Sequence, residues 1–135
     1  MTDVRPVAVF LHSGDYDRMH QGLSIAVAAA SLGRHTDLFL FWWALERLIR
    51  GALDEPDFPE QHADTQRRFE TRGMPTLRQL LQAARESGLC TIYACSGSLT
   101  AVAATPEAVR ASVDQVVGWT TILKLTANVT DRYYL

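Results

Sequence analysis

A chain of 135 residues is long enough for one domain with its own core, without disulfide or metal staples. Apolar residues at 47% and charged ones at 21% exclude the disordered and fibrous classes. The formal charge is −2, carried beside twelve arginines and one lysine with no basic run, which argues against nucleic acid or an anionic membrane surface as a partner.

The opening MTDVRPVAVF has no charged n-region, long apolar stretch or cleavage site, so no export signal is expected. Pro6 to His12 is a short β-rich run bounded by SGD, the pattern of a strand buried on both faces. From Tyr16 to Leu32 the period becomes helical through Met19, Leu23, Ala26, Val27 and Ala30, with Gly33 at the stop. HTDLFLFWW returns to strand character, and its two tryptophans at a strand end are expected to point to opposite sides. ALERLIRG follows as a short amphipathic helix closed by Gly51. The longest apolar run, LFLFWWAL, is too short to span a bilayer.

Residues 51–75 are the least patterned and read either as an excursion or lid over the domain or as solvated connection, with EQHADTQRRFET a possible helix inside. Thr76 and Gln79 form a capping box for a helix with a Leu77, Leu80, Leu81, Ala84 stripe, stopped by Gly88. LCTIYA, Leu89 to Ala94, is the third strand. Thr105, Pro106 and Glu107 start another helix, SVDQVV is the fourth strand, and Gly118 leads into a helix expected to turn Trp119, Ile122 and Leu123 to one side. DRYYL closes the chain as a fifth, edge strand. Alternating strands and helices predict a single doubly wound, flavodoxin-like α/β domain with a five-stranded parallel sheet.

In such sheets ligands sit beyond the carboxyl ends of the strands, which directs attention to HSGDYD and CSGS. His12 ends the first strand, with Ser13, Asp15 or Asp17 available to cap the next helix. Cys95 ends the third, with Ser96 and Ser98 as possible caps. A helix starting there would place the Cys95 thiol at unpaired N–H groups that favour the thiolate. The other reading is that Cys95 packs as a small apolar group. Cys90, five positions earlier, falls on the opposite face, so the two should not form a disulfide, and a cytoplasmic setting would keep both reduced. His12 is a candidate base for Cys95 if adjacent strand ends bring the two together. No C-x-x-C, phosphatase-type anion loop, dinucleotide fingerprint, P-loop or nucleophile elbow occurs, and the histidines and cysteines lack metal-ligand spacing, so no metal or other cofactor is expected.

VAVFLHSGDYDRMHQGLSIAVAAASLG, TDLFLFWWALERLI, MPTLRQLLQAARESGLCTIYACSGSL and VVGWTTIL, in that order, resemble the DsrE/DsrF-like proteins over nearly the whole chain outside Gly51 to Gly73. The most specific parts are F-x-F-W, M-P-x-L-x-x-L-L and the alanine-cysteine ending the third strand. The resemblance implies a homo-oligomer, a trimer or hexamer, that relays sulfur between donor and acceptor proteins with reactive cysteines; a cytoplasmic location is the default expectation without an export signal or membrane span. By position Cys95 would carry the persulfide as a carrier or sulfurtransferase-like protein. His12 would tune it, Ser96, Gly97 and Ser98 would offer N–H groups to the persulfide, and Ser13 and Trp42 would line the site. Where relatives have a bulkier polar residue and a methionine after the cysteine, this chain has Ser96 to Leu99. The alternatives are a module that binds a nucleotide, flavin or small anion at the strand ends, and an oligomeric interaction protein without cysteine chemistry.

Overall fold

The computed structural model describes residues 3–135. Its elements in chain order are β1 (Val7–Leu11), α1 (Tyr16–Ser31), β2 (Thr36–Leu40), α2 (Trp42–Arg50), a 3-10 turn (Glu60–His62), α3 (Ala63–Thr71) and α4 (Leu77–Glu86). Then come β3 (Cys90–Cys95), α5 (Ser96–Leu99), α6 (Pro106–Ser112), β4 (Gln115–Val117), α7 (Trp119–Leu125) and β5 (Asp131–Tyr134). The five strands form one all-parallel sheet in the order β4-β3-β2-β1-β5, so the α/β architecture is the flavodoxin-like one predicted. The winding runs one way from β1 to β4 and then reverses, because β5 returns to the free side of β1.

The local signals act where the sequence places them. Thr76 Oγ1 accepts from the Gln79 N–H at 3.2 Å while Gln79 Oε1 accepts from the Thr76 N–H at 2.8 Å, completing the capping box of α4. Thr105 Oγ1 accepts from the Ala108 N–H, and Pro106 opens α6 without leaving a donor unpaired. Gly51 ends α2 in the left-handed conformation, φ 75°, that a Cβ would disfavour. Two boundaries differ from the sequence reading. α6 runs through Ser112, so β4 is only Gln115–Val117, because Asp114 is held at the edge of the sheet by its own N–H to Ile92 O and its carboxylate to the Ile92 N–H. β2 stops at Leu40, and both tryptophans belong to α2.

The two faces of the sheet are covered unequally. One carries the main core, Val7, Val9 and Leu11, Leu38 and Leu40, Ile92 and Ala94, packed by α1, α2, α4 and α6 and by Phe69 of α3. The other carries Ala8, Phe10, Phe39, Phe41, Tyr93, Cys95 and Val117, covered by Ile122 of α7 and by Val129. Of the three α7 residues expected to face inward, Ile122 is fully buried, but Trp119 is 52% and Leu123 60% exposed. A seven-residue helix is too short to cover five strands, and only its central residue reaches the core. On this face the in-register pairs Phe10–Phe39, Phe39–Tyr93 and Phe10–Tyr134 stack with centroids 5.2, 4.8 and 4.6 Å apart, an aromatic row across four strands. Cross-strand aromatic pairs of this kind pin the register. Among the described residues no helix is long and apolar enough to cross a membrane.

Residues 51–75 are structured, with a 3-10 turn and α3 inside them. Arg47, almost fully buried, donates to the carbonyls of Ala52, Gly14 and Glu55 and to the Asp57 carboxylate at 2.9 Å, tying the start of the segment to the β1–α1 loop. Arg78 binds Asp54 at 2.8 Å, and Phe58 and Phe69 pack edge-on against Tyr16 of α1. The excursion therefore lies against α1, on the main-core side.

Candidate functional site

The reversal of winding between β1 and β5 opens the crevice in which α/β sheets of this kind hold ligands. A cleft of about 630 Å³ lies there, on the thinly covered face. Of the residues singled out from the sequence, His12, Trp42, Cys95, Gly97 and Ser98 line it. Ser13 and Ser96 do not. Ser13 Oγ accepts from the Asp15 N–H at 3.1 Å, shaping the turn into α1, and Ser96 is exposed with its Oγ directed at Gly118, 3.3 Å from where a Cβ would stand there. No residue of the 51–75 excursion lines the cleft.

β3 carries Cys95 to the cleft, and α5 begins on the next residue, so Cys95 itself occupies the N-cap position; neither Ser96 nor Ser98 caps the helix. The first N–H groups of a helix lack intrahelical acceptors, and those of α5 follow directly on Cys95. The residue is only 5% exposed, packed beside Phe41 and Val117, and Gly97 puts no side chain against it: a Cβ at Gly97 would lie 3.8 Å from Sγ. Cys90 falls on the opposite face, as its odd spacing requires, against the main core. Burial, reinforced by the nearby carboxylates of Asp114 and Asp37, pushes its thiol up to about 12. Both thiols are free.

His12 does not meet Cys95 across neighbouring strands, as the sequence reading had it, because β2 lies between β1 and β3. One step beyond the paired Leu11, Leu40 and Ala94, the residues fall in a single row: His12, Phe41, Cys95, then Val117. Two strand spacings separate the backbones of His12 and Cys95 by about 10 Å. Phe41 fills the gap, and no hydrogen bond joins the two side chains among the described residues. The backbone of His12 is pinned, its N–H to Leu135 O at 2.8 Å and its carbonyl to the Ala44 N–H at 3.1 Å, while the imidazole is exposed at the rim.

The expected opposition of the two tryptophans is also corrected. Phe41 donates its N–H to Leu11 O and ends the extended run, and the chain then turns through Trp42 at φ 43° into α2. A left-handed conformation at a bulky aromatic is a strained outlier, of the kind that gathers at functional sites. The turn places the Trp42 and Trp43 rings against one another, centroids 5.6 Å apart, with Trp42 on the wall of the cleft.

Sequence reasoning missed the rest of that wall. Phe10, Phe41, Trp119 and Tyr134 line the cleft, and Trp119 lies over Phe41 with centroids 5.1 Å apart and rings 18° from parallel. The available signal was parity: Phe10 and His12, Phe39 and Phe41, and Tyr93 and Cys95 each sit two apart, so each aromatic residue shares a face with its partner. Among the described residues no three His, Cys, Asp or Glu side chains converge as metal ligands would. In comparisons with known proteins, no family model matches the chain and no curated protein matches it.

Proposed function

We propose that the protein is a DsrE/DsrF-like persulfide carrier in which Cys95 receives and releases sulfane sulfur at the strand-end cleft. The observation that carries this reading is the setting of Cys95: it lines the strand-end cleft with no side chain on the neighbouring Gly97, whereas Cys90 lies on the far face, where burial raises its thiol to about 12. The Cys95 thiolate attacks the outer sulfur of a donor persulfide; the donor S–S bond breaks, the donor leaves as a thiolate, and Cys95 becomes Cys95-S-SH. An acceptor thiolate then attacks that outer sulfur and regenerates the Cys95 thiolate. The chemistry needs a reachable thiolate and no oxidant, since each S–S bond broken is replaced by one formed. Backbone N–H groups at Gly97 and Ser98 face the anionic product, and His12 acts at the rim on incoming partners rather than as a base bonded to Cys95.

The partners in this reading are donor and acceptor proteins with exposed reactive cysteines in the cytoplasm. Exposed Trp119, Leu123 and Tyr134 on the thinly covered face support self-association to a trimer or hexamer. One observation favours a second reading. The stacked Phe41 and Trp119 rings suit a flat ligand such as a flavin or nucleotide, held without any role for the thiol.

Intact and peptide mass spectrometry after exposure to glutathione persulfide tests the first reading, with Cys95→Ser and Cys90→Ser beside the wild type. One sulfur is expected at Cys95, unaffected by Cys90→Ser and passed on to a small thiol. A Cys95 that stays unmodified in the folded protein overturns the carrier. A rise in melting temperature with flavin mononucleotide or ATP that survives Cys95→Ser and is lost in Trp119→Ala then establishes the second reading.

A further inference from the structure

A second cavity of about 440 Å³ lies between α1 and the 51–75 excursion and reaches Leu135, which also lines the Cys95 cleft. Its floor is aromatic. Tyr16, Phe58 and Phe69 meet edge to face, with centroids 5.7 Å apart for each Tyr16 pair and 6.1 Å for Phe58–Phe69, and His20 stands edge-on to Phe69 at 5.9 Å. This floor is held from behind. The Tyr16 hydroxyl accepts from the Leu77 N–H at 3.2 Å, the Arg47 guanidinium lies 5.2 Å from the Tyr16 ring centroid, and His20 Nε2 is 3.0 Å from Pro75 O. An apolar ligand would therefore enter a preformed surface.

The rim is cationic. Arg18 of α1 and Arg68 and Arg72 from the excursion line the cavity with Asp17 as the one acidic side chain, in a protein whose net charge is −2. Among the described residues six arginines have ion-pair partners, and of the other six Arg85 and Arg132 donate to backbone carbonyls, whereas Arg18, Arg68 and Arg72, like Arg50, have no such partner. Arg68 and Arg72 lie at the carboxyl end of α3, where the helix dipole alone would favour cations. Arg18 has no such account, because it stands in the first turn of α1, at the positive end of that dipole. Cations on the lining from two elements, one of them against its own helix dipole, offer an anion a basic rim.

The geometry points to a binding site for a small amphipathic carboxylate, its ring or short alkyl body on the Tyr16–Phe58–Phe69 floor and its carboxylate on Arg18, Arg68 and Arg72. Guanidinium groups bind carboxylates through paired N–H donors, and the apolar floor rejects a bare inorganic anion. The site is independent of the thiol chemistry proposed above.

Isothermal titration of the full chain with 2-naphthoate, its neutral analogue 2-naphthylmethanol, and inorganic phosphate tests the assignment. Saturable 1:1 binding of naphthoate is expected, at least tenfold tighter than the alcohol, with none for phosphate. Arg68→Gln combined with Arg72→Gln, both on exposed side chains, should weaken naphthoate at least tenfold, and Phe58→Ala should weaken naphthoate and alcohol together. Trp42→Ala, in the other cleft, should leave the affinity unchanged. Equal binding of acid and alcohol, insensitivity to the arginine pair, loss of binding in Trp42→Ala, or no binding at millimolar naphthoate would each overturn the site.

Discussion

Gly14→Ala should destabilise the protein, although replacing a loop glycine with a φ in the ordinary range normally stabilises by about 0.4–1 kcal/mol through the unfolded chain. Gly14 is not among the glycines with positive φ, so its backbone is open to alanine. The obstacle is space: an added Cβ would stand 2.8 Å from the Trp43 carbonyl oxygen and 3.1 Å from both the carbonyl carbon and Cβ of Trp43. An ordinary carbon–oxygen contact is about 3.3 Å or more, so the β1–α1 loop and the start of α2 must part by about 0.5 Å. Those segments are stitched by Ala44 N–H to His12 O at 3.1 Å and by Arg47 Nη1 to Gly14 O at 2.9 Å, and the displacement weakens both. Overpacking of this order costs about 1–3 kcal/mol and a weakened hydrogen bond about 1 kcal/mol, leaving a net loss of about 2 kcal/mol after the unfolded-state gain. With an unfolding entropy of about 2.1 cal/mol/K per residue, the melting temperature should fall by about 7 °C. Urea denaturation followed by tryptophan fluorescence, together with calorimetry, measures both. Because the clash is with backbone and Cβ, Trp43→Ala should not rescue it, and the double variant should equal the sum of the singles within about 0.5 kcal/mol. A loss below about 0.5 kcal/mol, or rescue by Trp43→Ala, would refute the close-approach argument.

Two further outcomes follow from the same geometry. Trp42→Gly should be more stable than Trp42→Ala by about 1 kcal/mol in urea denaturation, because both lose the ring but only glycine adopts φ 43° without strain; equal stabilities would mean the turn relaxes. For Cys90 the folded thiol titrates at about 12 against an ordinary value of 9.0, so the folded state holds the proton longer than the unfolded chain does. Its contribution is complete below pH 9 and declines by up to about 1.4 kcal/mol per pH unit as the pH rises toward 12; Cys90→Ser should flatten that decline in denaturation curves, and an unchanged slope would show that other groups cause it.

The features legible in the sequence are those whose physics is local. Thr76 with Gln79, Thr105 with Pro106, and Gly51 each act within a turn of their own position, and each does what its residue type predicts. Alternation along a strand is local too, which is why Cys90 and Cys95 could be assigned to opposite faces before any fold was known. Arg47 shows where this ends. On a helix face it reads as one more solvated arginine, yet its partners are Gly14, Ala52, Glu55 and Asp57, and it is buried because a loop reaches back from positions the pattern could not place.

The site lies on the same divide. Strand exits can be read one strand at a time, and the sequence located His12 and Cys95 at two of them. Whether two exits touch depends on strand order, a property of the whole sheet, and here the order inserts Phe41 between the imidazole and the sulfur. That insertion changes the chemistry expected of Cys95. No bonded base assists Cys95 there, and the aromatic walls of Phe10, Phe41 and Trp119 limit how much water reaches it. On the carrier reading proposed above, a persulfide, more acidic than the thiol it replaces, is the easier anion to hold in such a place, which would make Cys95 a resting carrier of sulfur and not a nucleophile in constant turnover.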